Sequence, residues 1–111
     1  MLGFRTKKSE QKYHRNIDKE CPICKRAALK SFENWKVIKN NFPYDRIAKT
    51  HDMLVPLRHV DENSLNQKEL DEFKEIKNNF IKDSKYHYII EANSKLKSIP
   101  EHFHLHLIIL K

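Results

Sequence analysis

The stretch His102-Phe103-His104-Leu105-His106-Leu107-Ile108-Ile109-Leu110 alternates three histidines with apolar residues and then becomes wholly apolar. On an extended strand, alternate side chains point to opposite faces, so the three imidazoles would share one face at roughly 6–7 Å intervals. The apolar residues between them would face a core. Imidazole is the side chain best suited to acid–base, nucleophilic or metal chemistry near neutral pH. The alternation therefore predicts a half-buried strand with a functional site on its other face.

An amphipathic helix is predicted upstream of this strand, ending near residue 82. A capping box would start it, with Ser64 as the N-cap and Gln67 reaching back to it. Its apolar positions recur at three- to four-residue steps: Leu70, Phe73, Ile76 and Phe80. These positions form a single stripe, which indicates that one face of the helix packs on a core.

Strand-like segments lie on both sides of this helix. Residues 21–30 resemble a knuckle leading into a short helix, 40–45 a turn and 94–100 a basic loop. Residues 1–20 are predicted to form a basic N-terminal arm, and residues 21–111 a single domain. This order predicts an α+β fold with an antiparallel sheet packed on helices. The predicted strands are Ser31–Lys39, Asp52–Pro56, Tyr86–Asn93 and His102–Leu110.

The composition favours anionic partners. The chain has 111 residues and a formal net charge of +7, from 22 Lys and Arg against 15 Asp and Glu. Such a charge attracts nucleotides or nucleic acid, although many lysines also suit an ordinary solvated surface. No apolar run is long enough to cross a membrane, and the charged N-terminal segment is unlike a signal peptide. We therefore expect a cytoplasmic protein with no membrane partner.

Cys21 and Cys24 have the two-residue spacing that lets two thiolates bind one tetrahedral Zn²⁺ ion. In a reducing compartment this pair favours a metal over a disulfide. A buried thiol pair is the plain alternative, and a redox role is disfavoured because no parallel βαβ pattern surrounds the pair. Two further ligands would have to come from the histidines, which are His14, His51, His59, His87 and the three of the final strand.

Together these features resemble the histidine triad (HIT) family, whose signature is His-φ-His-φ-His-φ-φ, with φ apolar. Residues 102–108 match it at every position, and residues 41–44 and 53–59 resemble the family's N-terminal half. The resemblance extends over residues 21–110. It implies a five-stranded antiparallel sheet with two helices, and a homodimer.

The resemblance also implies roles for the histidines and cysteines. His104 would be the nucleophile, forming a nucleotidyl-histidine intermediate at an α-phosphate in a nucleotide hydrolase or nucleotidyl transferase. His106 would hold the phosphate oxygens or assist the leaving group. In the zinc-bearing branch, a structural Zn²⁺ would be bound by Cys21, Cys24, His59 and His102. His51 is a weaker ligand candidate.

The segment before the histidines departs from the family pattern, which has a glycine-rich phosphate loop. This chain has one glycine, Gly3. The candidates for nucleotide and phosphate binding are Asn93, Lys97, Ser98 and Asp45. Two other functions stay open: a nucleotide- or nucleic-acid-binding module without turnover, and a zinc-knuckle adaptor. The substrate of the leading hypothesis is a nucleotide or a nucleotidylated small molecule.

Overall fold

Five antiparallel strands form the sheet that carries the histidine-rich stretch. The structure is a computed structural model that describes residues 21, 23–91 and 102–111. The strand order is β1-β2-β3-β5-β4, which places the final strand between β3 and β4. The predicted α+β class and the antiparallel five-stranded sheet are confirmed. The strands are β1 Lys30–Ser31, β2 Trp35–Lys39, β3 Ala48–Pro56, β4 Tyr88–Ile90 and β5 Leu105–Leu110.

One face of the sheet is covered by the helical segment and forms the main core. Alternation along the strands directs Trp35 and Val37 of β2 and Leu54 of β3 to this face. The predicted burial of the apolar residues between the histidines is confirmed, because Phe103, Leu105 and Leu107 belong to the same cluster. The opposite face is therefore left for the histidines.

The helix α1 runs from Gln67 to Glu75, so it begins later than predicted. Its N-cap is Asn66, which forms a capping box with Glu69, and the prediction of Ser64 with Gln67 was wrong. Ser64 instead ends a 3₁₀ turn, Glu62–Ser64. Glu69 prevails over Gln67 because its carboxylate also accepts hydrogen bonds from Arg58. A contact with a residue outside the helix thus decides which of the two possible capping boxes starts it.

A π-helical segment, Ile76–Ile81, continues α1. Its wider turn changes which residues reach the core, because hydrogen bonds now span five residues rather than four. Ile76 and Ile81 are both buried, whereas Phe80 is only partly buried at the edge of the cluster. The resemblance implied two helices; the described part of the chain contains one α-helix with this extension, besides the 3₁₀ turn. None of the helices in that part is long and apolar enough to span a bilayer.

The strand predicted over residues 31–39 is a hairpin in the structure. Lys30 of β1 pairs with Val37 of β2, and residues 32–34 make the turn. Asn34 favours a turn, and its backbone N–H donates to the carboxylate of Glu72 on α1 at 2.6 Å. The short helix predicted before residue 30 is absent from described residues 23–30, which form a turn and then an irregular segment that leads into β1.

The other strand boundaries also shift. β3 starts at Ala48 rather than at residue 52, because it pairs with β2 on one side and β5 on the other. β4 is shorter than predicted, and β5 starts at Leu105 rather than at His102. The predicted N-terminal arm lies outside the described residues, as does the predicted loop at 94–100.

The buried Glu69 connects the helix to the strand exit through polar contacts. Arg58 donates to its two carboxylate oxygens at 2.6 and 3.1 Å, and the Asn66 backbone N–H donates to one of them at 2.9 Å. The bonds from Arg58 lower the pKa of Glu69, against the opposing effect of burial. Trp35 Nε1 donates to the Glu69 carbonyl at 2.9 Å, which ties the same turn to β2.

Replacing Glu69 with glutamine is expected to lower the free energy of unfolding by about 1–3 kcal/mol, because a charged acceptor is lost from a buried site. Because the folded pKa is lowered, this stabilisation is complete above the ordinary glutamate pKa of 4.5 and is lost as the pH falls through the folded value. Urea unfolding near pH 7 and near pH 3 measures both effects. Glu75→Gln, at an exposed glutamate, is the matched control. If Glu69→Gln lowered the free energy of unfolding equally at both pH values, the lowered pKa of Glu69 would be contradicted.

Candidate metal centre and histidine network

The cysteine pair and two of the predicted histidine ligands meet at one point. The candidate ligand atoms of Cys21, Cys24, His59 and His102 all lie within 4.8 Å of one another. Nδ1 of His102 is 3.4 Å from each cysteine sulfur and 3.3 Å from Nδ1 of His59. The Cys24 sulfur is 3.2 Å from Nδ1 of His59. A tetrahedral zinc ion with ordinary Zn–N and Zn–S bonds places its ligand atoms roughly 3.3–3.8 Å apart. The donor set and its spacing are therefore compatible with zinc.

The ring of His102 is oriented for this role by the end of β3. Its Nε2 donates to the carbonyl of Pro56 at 3.0 Å, and since a carbonyl can only accept, Nδ1 is left with the lone pair that faces the cysteines. Metal-binding histidines are commonly oriented in this way by a backbone carbonyl. Burial lowers the pKa of His102, with smaller contributions from nearby His59 and His104. The neutral imidazole, which is the form that binds a metal, is thus favoured.

The knuckle that carries the cysteines is held on the histidine face of the sheet. Ile23, between the two cysteines, is buried against Ile38, Met53 and Val55. The buried Lys36 of β2 reaches the same segment, and its Nζ donates to the carbonyls of Cys24 at 3.4 Å and Arg26 at 2.8 Å. Lys36 is not among the residues predicted from the sequence, because its neighbours along the strand give no sign that its cation is buried.

Without a metal, ionisation of the Cys24 thiol is disfavoured. Burial and the neighbouring Cys21 raise the pKa of the Cys24 thiol, and Lys36 opposes this effect. Cation binding at this site would therefore release protons, as is usual for thiolate ligands.

His104 lies next to this centre with its tautomer set by the backbone. Its Nδ1 donates to the carbonyl of His102 at 2.9 Å, so the lone pair is on Nε2. The ring is buried and stands nearly perpendicular to that of His106, with 5.2 Å between centroids. The side chain of the residue that would act as nucleophile is thus hydrogen-bonded to the backbone of the residue that would bind zinc.

His106 belongs to a second group, whose other members are the buried His51 and the half-buried Tyr44. Nδ1 of His106 is 2.7 Å from Nε2 of His51, and Nε2 of His106 is 3.0 Å from the Tyr44 hydroxyl. The suggestion that His51 is a metal ligand was wrong, because it lies in this group and not in the four-residue cluster. Tyr44 is not among the site residues predicted from the sequence; its signals there are its place in the turn at 40–45 and in the stretch 41–44 that resembles the family.

Of the four predicted nucleotide-binding residues, one lies within the described part of the chain. Asp45 lies half-buried in the turn at 45–47, immediately after Tyr44. Asn93, Lys97 and Ser98 lie outside the described residues.

No protein-family model and no curated protein sequence matches this chain. Among solved structures, a HIT family hydrolase from Clostridium thermocellum is similar, with a TM-score of 0.59 and 18% sequence identity. The match covers 83% of this chain and 91% of that chain. At this level of identity the similarity concerns the fold: the chain has the fold of a HIT family hydrolase.

Proposed function

We propose that the protein is a nucleotide hydrolase or nucleotidyl transferase that acts at an α-phosphate through a nucleotidyl-histidine intermediate on His104. The observation that carries this proposal is the orientation of His104. A nucleophilic imidazole must be neutral and must have its lone pair on a fixed nitrogen. The bond from His104 Nδ1 to the His102 carbonyl supplies the second condition, because in the neutral ring it leaves the lone pair on Nε2.

The reaction follows from this geometry in two displacements. Nε2 of His104 attacks phosphorus, forming a P–N bond as the bond from phosphorus to the leaving group breaks. The ring becomes positively charged, and the His102 carbonyl stabilises that charge through Nδ1–H. His106, the next histidine along the chain, donates to the phosphate oxygens or to the leaving group. Water or another acceptor then displaces His104 and releases the nucleotide.

We also propose that Zn²⁺ binds Cys21, Cys24, His59 and His102 and has a structural role. Four protein ligands close a tetrahedral site and leave no position for a reacting water molecule. Such an ion, when bound, fixes the ring and backbone of His102. The carbonyl that orients His104 is then held in place as well.

The nucleotide would be bound beside the histidines by Asp45, Asn93, Lys97 and Ser98. Asp45 is proposed to bind the ribose, and the other three the phosphates. Lysine presents a mobile point charge where the family has hydrogen-bond donors on a glycine-rich loop. The homodimer and the cytoplasmic location remain predictions from the sequence.

Turnover by the wild-type protein tests this proposal. A panel of adenosine phosphoramidate, a dinucleoside polyphosphate and an adenylated peptide is incubated with the protein, and released AMP is measured. After rapid quenching at alkaline pH, which preserves phosphoramidates, mass spectrometry is expected to locate a nucleotidyl group on His104. Absence of both AMP release and the adduct across the panel would reject the enzymatic function.

The net charge of +7 favours one other candidate, a nucleic-acid-binding module without turnover. That function predicts affinity for generic RNA or DNA that falls steeply as salt rises, because phosphate contacts release counterions. Salt-dependent binding with no AMP release would favour this alternative.

A further inference from the structure

We propose that Tyr44 is a positioning residue that, through a closed circuit of hydrogen bonds, holds His51 and His106 in one defined pair of tautomers. The circuit is a property of the described residues. Its effect on turnover rests on the proposed function.

The first bond of the circuit starts at the backbone of Tyr44. Its N–H donates to Nδ1 of His51 at 2.9 Å. A backbone N–H is always a donor, so Nδ1 of His51 must carry a lone pair. In the neutral ring the proton is then on Nε2.

The second and third bonds follow from the first. His51 Nε2–H donates to Nδ1 of His106 at 2.7 Å, which puts the proton of neutral His106 on its own Nε2. That N–H then donates to the Tyr44 hydroxyl at 3.0 Å. The chain of bonds therefore begins and ends on the same residue, and each histidine nitrogen in it has a defined role.

Asn40 also approaches His51, with Nδ2 at 3.2 Å from Nε2. Its Oδ1 accepts from the Phe42 N–H at 2.7 Å, which fixes the amide orientation and makes Nδ2 a donor. Because Asn40 Nδ2 is a donor, it cannot accept the hydrogen bond that His51 Nε2–H donates. His106 therefore remains the acceptor, at the shorter distance.

Tyr44 is itself held firmly. Its carbonyl accepts the backbone N–H groups of Ile47 and Ala48 at 3.0 and 2.9 Å. Its ring packs on those of His51 and His106, with centroids 4.5 and 4.7 Å apart. Backbone and side chain are thus fixed by separate contacts, as a positioning residue requires.

The circuit assigns different chemistry to two neighbouring imidazoles. His104 has its lone pair on Nε2, whereas the same nitrogen of His106 carries a proton. His106 is thereby a donor and not a second nucleophile. The Tyr44 hydroxyl is the acceptor that holds the direction of this N–H when no substrate is bound.

Tyr44→Phe tests the proposal, because it removes the hydroxyl while keeping the backbone N–H and the ring. In ¹⁵N-histidine NMR spectra of the wild type, His51 and His106 are both expected to be protonated on Nε2. In the variant these tautomers should persist, since the amide is retained, but the His106 Nε2–H should exchange with solvent about tenfold faster or more. We expect kcat to fall about tenfold, as for the loss of one hydrogen bond, with KM changing less.

Tyr86→Phe is the matched control. It removes another half-buried tyrosine hydroxyl, which donates to Asp52. Since Asp52 follows His51 in β3, it lies on the opposite face of the sheet. This control should leave the His106 exchange rate and kcat unchanged.

Protonation of wild-type His51 or His106 on Nδ1 would overturn the circuit. An unchanged His106 exchange rate in Tyr44→Phe would overturn the role of the hydroxyl, and a faster exchange rate with unchanged kcat would overturn its effect on turnover. The NMR measurement needs no substrate. A wild-type protein without turnover would therefore reject the proposed function, and the NMR spectra would still test the hydrogen-bond circuit.

Discussion

Replacing His104 with alanine is expected to reduce nucleotide release by about 10⁴-fold or more, because it removes the atom that forms the covalent intermediate. The alanine variant should also show no nucleotidyl adduct after quenching. The fold should survive, since the neighbouring core residues Phe103 and Leu105 are unchanged. Released AMP measured at saturating substrate, together with the thermal unfolding temperature, checks the result.

His87→Ala is the matched control for this experiment. His87 is exposed, and its Nδ1 accepts from the Leu110 backbone N–H at 3.0 Å, at the far end of β5. The control loses an imidazole without touching the proposed site and should retain wild-type turnover. Retention of more than a tenth of the activity by His104→Ala would show that another group is the nucleophile.

Replacing Cys21 with serine is expected to abolish zinc binding and to lower the free energy of unfolding by several kcal/mol. One thiolate ligand is lost, and with it the connection between the N-terminal knuckle and His102. Elemental analysis of protein prepared without chelator should find about one zinc per wild-type chain and almost none in the variant. Thermal unfolding measures the loss of stability.

A chelator separates the effect of the metal from that of the side chain. Stripping zinc from the wild type should lower its unfolding temperature towards that of Cys21→Ser, whereas the same treatment should leave the variant unchanged. His87→Ala, which removes a histidine outside the cluster, should keep its zinc. Wild-type protein that is free of zinc and equally stable with or without chelator would exclude a structural metal.

The four candidate zinc ligands show how far a local sequence pattern can predict a metal site. Cys21 and Cys24 are close in sequence, and their spacing alone suggested a tetrahedral metal. Their partner His102 lies 81 residues beyond Cys21, and no spacing rule connects them. The resemblance to a family proposed this set of four, and the fold brings the set together.

The incorrect predictions share a physical cause. Ser64 with Gln67 and Asn66 with Glu69 are both adequate helix-start signals, and the choice between them depends on Arg58, which the helix meets only after folding. The strand over residues 31–39 was divided because Asn34 turns the chain and docks on Glu72. Boundaries of elements are settled by such distant contacts.

Periodicity alone was enough to predict the α+β class, the buried set Phe103, Leu105 and Leu107, and a histidine face on the final strand. Alternation is a local property of an extended chain, so it can be recognised without knowing its neighbours. The pairing of β3 with β5 decided the rest, because it places His51 and His106, 55 residues apart, within hydrogen-bond distance. Which nitrogen of each imidazole carries a proton depends on that contact and on Tyr44, and neither is visible in the sequence.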